Sequence, residues 1–273
     1  MGTQVDPDAF NAFEAAGWEK RAPTYHRLLL PITRQVVEPL LDAAAVGPGS
    51  RVLDVGSGPG YVAAAAFTRG ASAVGVDVAP AMVALARTLH PSVEFVDGDA
   101  EHLQFADDSF DVVVANFAIL HLGRPEQAAA EFARVLAPGG KVALSTWDVP
   151  AASRMPGVFY DAVQEVGAAP PPDLPTGPPF YRFADEAEFV GLLNAAGFVD
   201  ASVSTVAFTY HYVGDLFDAL VGGTVRTRSL VITQPEATQA RIRAALDRLT
   251  AEYAADGGFD LPTSVKVASA TAK

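Results

Sequence analysis

Between residues 50 and 147 short apolar runs alternate with helical patterns. Val52-Leu53-Asp54-Val55 reads as a buried strand that ends in glycines, and Val62 to Thr68 reads as the helix behind it. "AVGVD", Ala73 to Asp77, is a second strand. Pro80 to Leu89 is a helix with its proline in the first turn, where the missing amide hydrogen costs nothing. Val93 to Asp97 and Phe110 to Asn116 are further strands, and Glu126 to Leu136 is a helix. Pro138-Gly139-Gly140 turns the chain into a fifth strand, Val142 to Trp147. These strands are nearly all apolar rather than alternating, as in a parallel sheet buried on both faces. Strands separated by helices give that α/β architecture.

The flanks follow other rhythms. Residues 1–24 are mixed and poorly periodic. A helical pattern from Tyr25 to Ala45 breaks near Pro31 and Pro39, and Gly47-Pro48-Gly49 is a turn. Residues 148–183, with "AAPPPDLPTGPP" at their centre, read as a lid or shaped loop holding one helix. Asp185 to Ala196 is a helix closed by Gly197. Phe198 to Phe208 is largely strand, and Asp215 to Val221 is a short helix. Gln234 to Tyr253 is a long amphipathic helix with Ile242, Leu246, Leu249 and Tyr253 on one stripe, and "SVKVASATA" is a last strand. The expected division is a helical lid over residues 1–45, a ligand-binding core over 46–150, and 151–273 as the rest of the same domain with substrate-binding insertions and closing strands. Residues 209–262 either complete the core or cap an active site.

Composition narrows the chemistry. The 273 residues suffice for one good core, and half of them are hydrophobic. The sequence has no cysteine, which removes disulfides, thiolate metal sites and cysteine nucleophiles, and fits a reducing, cytoplasmic setting. "MGTQVDPDAF" does not read as a signal peptide, and the apolar runs are too short to span a membrane. A formal net charge of −13 would repel nucleic acid over most of the surface, so a small molecule is the expected partner, with the chain a monomer or homodimer. No His-Glu-x-x-His motif appears and the five histidines form no metal cluster in sequence, so no metal is expected.

"RVLDVGSGPGYVAAAA" carries the first chemical signal. Gly56, Gly58 and Gly60 follow a strand and open a helix. Glycine lets the backbone turn tightly and approach a ligand, and a helix N-terminus offers unpaired amides. Asp77 ends the next strand on the same rim, where its carboxylate can accept both hydroxyl hydrogens of a ribose. The spacing is Gly-x-Gly-x-Gly, with Tyr61 where a dinucleotide fingerprint has its third glycine. Asp54 just before the glycines disfavours a pyrophosphate and favours an amine or a sulfonium. In "VDGDAEHLQF", Asp99, Ala100 and Glu101 combine a backbone amide with acidic side chains, a reader of an adenine edge. Met82 is placed to pack on a purine face or in ordinary core. Asn116 ends the fourth strand, leading to Phe117, Leu120 and His121.

"VLDVGSGPG…VGVDVAPAM…FVDGDAEHLQF…FDVVVANFAILHL…RVLAPGGKVALSTW" resembles the class I S-adenosylmethionine-dependent methyltransferases, and most of all the branch that includes the ubiquinone and menaquinone biosynthesis C-methyltransferases. The N-terminal "GWEKRAPTYHRL" is similar to that branch, and "GGTVRTR…QPEA" less specifically to relatives in secondary metabolism. The resemblance implies a doubly wound, mostly parallel seven-stranded sheet and S-adenosylmethionine as cofactor. It implies that Asp54, Gly56, Gly58 and Gly60 surround the methionine part, Asp77 holds the ribose, Asp99 and Ala100 hold adenine, and Asn116 lines the methionine side by its backbone. Tyr25 would approach the cofactor carboxylate from the lid.

Methyl transfer of this kind is an in-line displacement at an already activated carbon, so the protein must chiefly align the nucleophile and exclude water. A base is needed where the nucleophile loses a proton. His121 is the first candidate, with a structural imidazole as the plainer reading; Tyr25 is the second and His26 an outsider. Trp147 and Asp148 end the fifth strand and can shape a substrate site. Tyr181, Phe183, Phe208 and Tyr210 either face an apolar substrate or belong to the core. Arg226 and Arg228, in a glycine-rich bend, can receive an anionic substrate group or simply be solvated. Carbon, oxygen and nitrogen acceptors stay open. So do a nicotinamide-dependent oxidoreductase, a non-catalytic S-adenosylmethionine binder and a macromolecular methyltransferase, the last disfavoured by the acidic charge.

Overall fold

A computed structural model of the protein describes residues 6–273. The first half runs α1 (Pro7–Leu28), α2 (Leu30–Thr33), α3 (Val37–Ala43), β1 (Arg51–Val55), α4 (Tyr61–Thr68), β2 (Ser72–Asp77), α5 (Pro80–Leu89), β3 (Glu94–Asp97), β4 (Phe110–Asn116), α6 (Pro125–Val135) and β5 (Leu136–Trp147). The second half adds α7 (Arg154–Val166), α8 (Glu186–Ala195), β6 (Val199–Tyr212), α9 (Leu216–Gly223), α10 (Arg226–Ile232), α11 (Glu236–Thr250), the two-residue β7 (Ala254–Ala255) and β8 (Gly258–Thr271).

The strand order is β3-β2-β1-β4-β5-β8-β6, with β7 paired to β8 off that path. β1 to β5 pair in parallel, and β8 runs antiparallel between β5 and β6. This is the doubly wound, mostly parallel seven-stranded arrangement, with β7 as a minor addition. β1 is flanked by β2 on one side and β4 on the other, so the order reverses there. The crevice outside the carboxyl ends of β1 and β4 is where such sheets bind ligands.

Neighbouring residues of each central strand enter different cores. Val52, Val112, Val114 and Ala143 join the core under α3, α4, α5, α7 and α11. Leu53, Val55, Val113, Ala115, Val142 and Leu144 join the core under α6 and α8. This pleat, with both faces covered, is the reason the strands read as continuous apolar runs.

Three expectations change. Residues 7–28 are one helix, not an irregular lead-in: Asp6 caps it by accepting from the Asp8 and Ala9 amides, and Pro7 starts it. Only Phe10, Glu14 and Ala22 are buried along its length, so it has no apolar stripe to read. β5 begins at Leu136, which pairs with Phe110, and a register shift absorbs the Pro-Gly-Gly segment, with Gly139 at φ 79°. Arg226 lies at the start of α10, not in a bend. Residues 1–5 of the expected lid lie outside the described residues.

α1 lies over the carboxyl edge of the sheet. The Ala81 amide at the start of α5 donates to Glu19 at 2.8 Å. On the other side Val225 fills the space that a side chain at Gly17 would take, since a Cβ there would lie 2.3 Å from it.

Candidate active site

A cavity of about 370 Å³ opens between the carboxyl ends of β1, β2 and β4 and the inner side of α1, α9 and α10. The three glycines have separate tasks. Gly56 (φ 66°) lies against Ala118, whose Cβ would meet a Cβ at position 56 within 2.5 Å. Gly60 (φ 84°) packs behind the loop against the Phe95 ring, 2.4 Å from a Cβ placed there. Gly58 (φ 50°) faces open space and borders the cavity.

The loop amides are largely used within the protein. Gly56 and Ser57 donate to the Val76 carbonyl at 2.8 and 3.0 Å, and Gly60 donates to Ser57. Gly58 donates to Asp77 Oδ2 at 2.8 Å and Ala63 to Asp54 Oδ2 at 3.0 Å. The two carboxylates thus take amides that a pyrophosphate would need. Asp54 is fully buried and its Oδ1 has no partner among the described residues. Burial pushes its carboxyl up to about 7, opposed by the Ala63 hydrogen bond and assisted by Asp77. Asp77 also accepts from the Ala79 amide at 2.9 Å, and burial pushes it upward against these backbone bonds.

Gly98, Asp99 and Ala100 form the next edge of the cavity, with buried Met82 beside them. Asp99 is tied down locally, accepting from the Glu101 amide at 2.8 Å and meeting His102 Nδ1 at 3.0 Å. At the exit of β4, Asn116 donates to the Thr33 carbonyl at 3.2 Å and accepts from Ser145 at 2.7 Å, binding α2 to the sheet. Phe117 follows at φ 54°, its ring 4.3 Å from that of Trp147. The Tyr25 hydroxyl pairs with Thr33 at 3.1 Å, and burial raises its pKa, so it stays protonated.

The opposite wall holds a polar cluster in an aromatic setting. Glu14, 3% exposed, accepts from Trp18 Nε1 at 2.9 Å, and His121 Nδ1 lies 3.1 Å from the same Oε2. A carboxylate only accepts, so Nδ1 carries the hydrogen, and in the neutral tautomer this leaves the lone pair on Nε2. The Trp18 ring meets His121 edge-on at 5.0 Å. Arg226 donates to the Pro178 carbonyl at 3.2 Å and lies over the Phe10 and Phe180 rings, 5.3 and 5.5 Å from their centroids. Glu14 Oε1 and Arg226 Nη1 are buried without partners among the described residues.

Of the residues expected at a site, Tyr25, Asp54, Gly56, Gly58, Asp77, Met82, Asp99, Ala100, Asn116, His121, Trp147 and Arg226 border this cavity. Five do not. Gly60 lies behind the loop. Glu101 is buried and paired with Arg124. His26 packs on Tyr61, Tyr181 is wedged between Tyr160 and Phe180, and Phe208 lies on β6 opposite Thr263. Sequence reasoning missed Glu14, Thr33 and Phe180 altogether. Trp18 was visible only as part of the N-terminal resemblance. Among the described residues no group of three or more His, Asp or Glu is placed to hold a metal ion, and no helix is long and apolar enough to cross a membrane.

A doubly wound sheet with a carboxylate-lined glycine loop at its reversal point is the arrangement in which such folds place a ligand. Residues 53–144 match the methyltransferase domain family, and the fold is the Rossmann-like fold of class I methyltransferases. A demethylmenaquinone methyltransferase of Renibacterium salmoninarum is 34% identical over 140 residues, covering 50% of this chain and 59% of its own length. A biotin biosynthesis bifunctional protein, BioHC, of Cellvibrio japonicus is 40% identical over 134 residues, 48% of this chain and 26% of that one. The chain thus spans less than two thirds of these curated relatives. An uncharacterised protein of Mycobacterium bovis is 29% identical over 228 residues, 80% of each chain. Among solved structures, the YcgJ protein of Bacillus subtilis aligns with a TM-score of 0.58 at 21% identity, covering 88% of this chain and 99% of that one, a likeness of fold.

Proposed function

We propose that the protein transfers a methyl group from S-adenosylmethionine to a small-molecule acceptor held in the same cavity, in the cytoplasm and in secondary metabolism. The observation that carries this reading is that Asp77 takes the Gly58 amide and Asp54 the Ala63 amide, which places carboxylate acceptor oxygens at the rim. Such a rim suits an amine, a sulfonium and a ribose diol, and repels a pyrophosphate. The name of the Renibacterium relative supports a small-molecule acceptor.

When bound, the sulfonium supplies a carbon already activated for displacement. The chain's own residues do the rest. Asp54 Oδ1 receives the amino group, and Asp77, with one lone pair left on each oxygen, receives the ribose hydroxyls. Ala100 and Asp99 meet the adenine edge and Met82 its face. Tyr25 stands as a hydrogen-bonding wall on the methionine side; its paired, protonated hydroxyl does not suit it to proton removal. The aromatic rings of Trp18, Phe117 and Trp147 keep bulk water from the acceptor. The test is calorimetric titration with S-adenosylhomocysteine beside NADH. Binding of the first alone is expected; binding of NADH alone would return the loop to a dinucleotide.

A further inference from the structure

The wall opposite the glycine rim has two unsatisfied groups of opposite character. Glu14 Oε1 lacks a donor and Arg226 Nη1 lacks an acceptor. Burying either without a partner is costly, and an orphaned buried polar atom that lines a cavity calls for a functional explanation. His121 lines the same cavity, its Nδ1 held by Glu14. The surroundings are apolar and flat-sided, from Trp18 to Phe180.

We infer that the acceptor is a phenol or enol carrying a carboxylate or carbonyl oxygen, methylated on its hydroxyl oxygen, with His121 as the base, Glu14 as its positioning residue and Arg226 as the receptor for the second oxygen. This rests on the proposed methyl transfer. The hydroxyl proton passes to His121 Nε2. The oxygen's electron pair forms the new bond to the methyl carbon as the carbon–sulfur bond breaks, and that bond's electrons remain on sulfur, leaving a neutral thioether. The imidazolium then returns its proton to solvent. Glu14 holds His121 in the tautomer that has Nε2 free and stabilises the imidazolium. A protonated amine would pair Glu14 Oε1 but leave Arg226 Nη1 without an acceptor and facing a like charge. A hydrocarbon acceptor fits less well, because it leaves Arg226 Nη1 unpaired.

The probe is 4-hydroxy-3-nitrobenzoate, whose phenolate absorbs in the visible, with its methyl ester and 3-nitrobenzylamine as comparisons. Each is titrated into wild type, Glu14→Gln, His121→Gln and Arg226→Met with S-adenosylhomocysteine present, and S-adenosylhomocysteine affinity is measured separately on all four proteins. The acid is expected to bind wild type about tenfold tighter than its ester and to bind as phenolate below its own pKa. The phenolate band should fall about tenfold in Glu14→Gln and His121→Gln at unchanged S-adenosylhomocysteine affinity, which shows the fold intact. Arg226→Met should erase the acid-over-ester preference. The inference is overturned if S-adenosylhomocysteine binds while the acid does not, if the amine binds better than the acid, or if the variants match wild type. Phenolate binding without S-adenosylhomocysteine binding would support the acceptor site and overturn the cofactor reading instead.

Discussion

The two walls of the cavity are built on different principles. At the glycine rim, Asp54, Gly56, Gly58 and Asp77 all lie within one strand-loop-helix-strand unit, and each is fixed by backbone hydrogen bonds a few residues away or one strand over. On the far wall, Glu14, His121 and Arg226 come from α1, the turn after β4 and α10, and meet only because three distant segments pack together. The rim is a property of local sequence; the far wall is a property of the tertiary structure. A fold built this way can keep one cofactor while its acceptor site is free to vary.

The contrast can be broken most strongly at Asp54. Its carboxyl is raised from its ordinary value to about 7, so folding binds a proton that the unfolded chain gives up above about pH 4. Stability of the protein alone is therefore expected to fall as pH rises from about 4 to about 7, by on the order of 4 kcal/mol from this group. Urea denaturation at pH 4 and pH 8 measures it, and Asp54→Asn should flatten the slope. An unchanged slope in that variant would show that the rim carries no such tension.

The next largest effect separates two glycines of the same loop. Gly60→Ala puts a methyl group into the Phe95 ring at a positive φ, and should lower stability by about 3 kcal/mol. Gly58→Ala meets only the positive φ, and should cost about 1 kcal/mol. Thermal melts of the two variants compare them directly. Equal losses would mean that the close approach to Phe95 is not what fixes glycine at position 60.

Legibility in the sequence follows the same division. Strand, glycine loop and acidic strand end are contiguous, so the rim and the parallel sheet could be read before the structure was known. Glu14 could not, because α1 buries only Phe10, Glu14 and Ala22 along 22 residues and presents the rest to neighbours of mixed character. Arg226 was visible as a charge, but its place in a helix depends on Val225 entering the gap at Gly17, a contact more than two hundred positions apart. Tyr181 and Phe208 illustrate the reverse error: aromatic residues near a site in sequence that pack on other rings or along a strand.

The most direct test of two independent walls is the affinity of S-adenosylhomocysteine for wild type, Asp77→Asn and Glu14→Gln by calorimetry. In the proposed function Asp77 receives both ribose hydroxyls in charge-assisted hydrogen bonds, so its loss should weaken binding about 100-fold. Glu14→Gln should bind as wild type does. Failure of wild type to bind, or Asp77→Asn binding as tightly as wild type, would contradict the account.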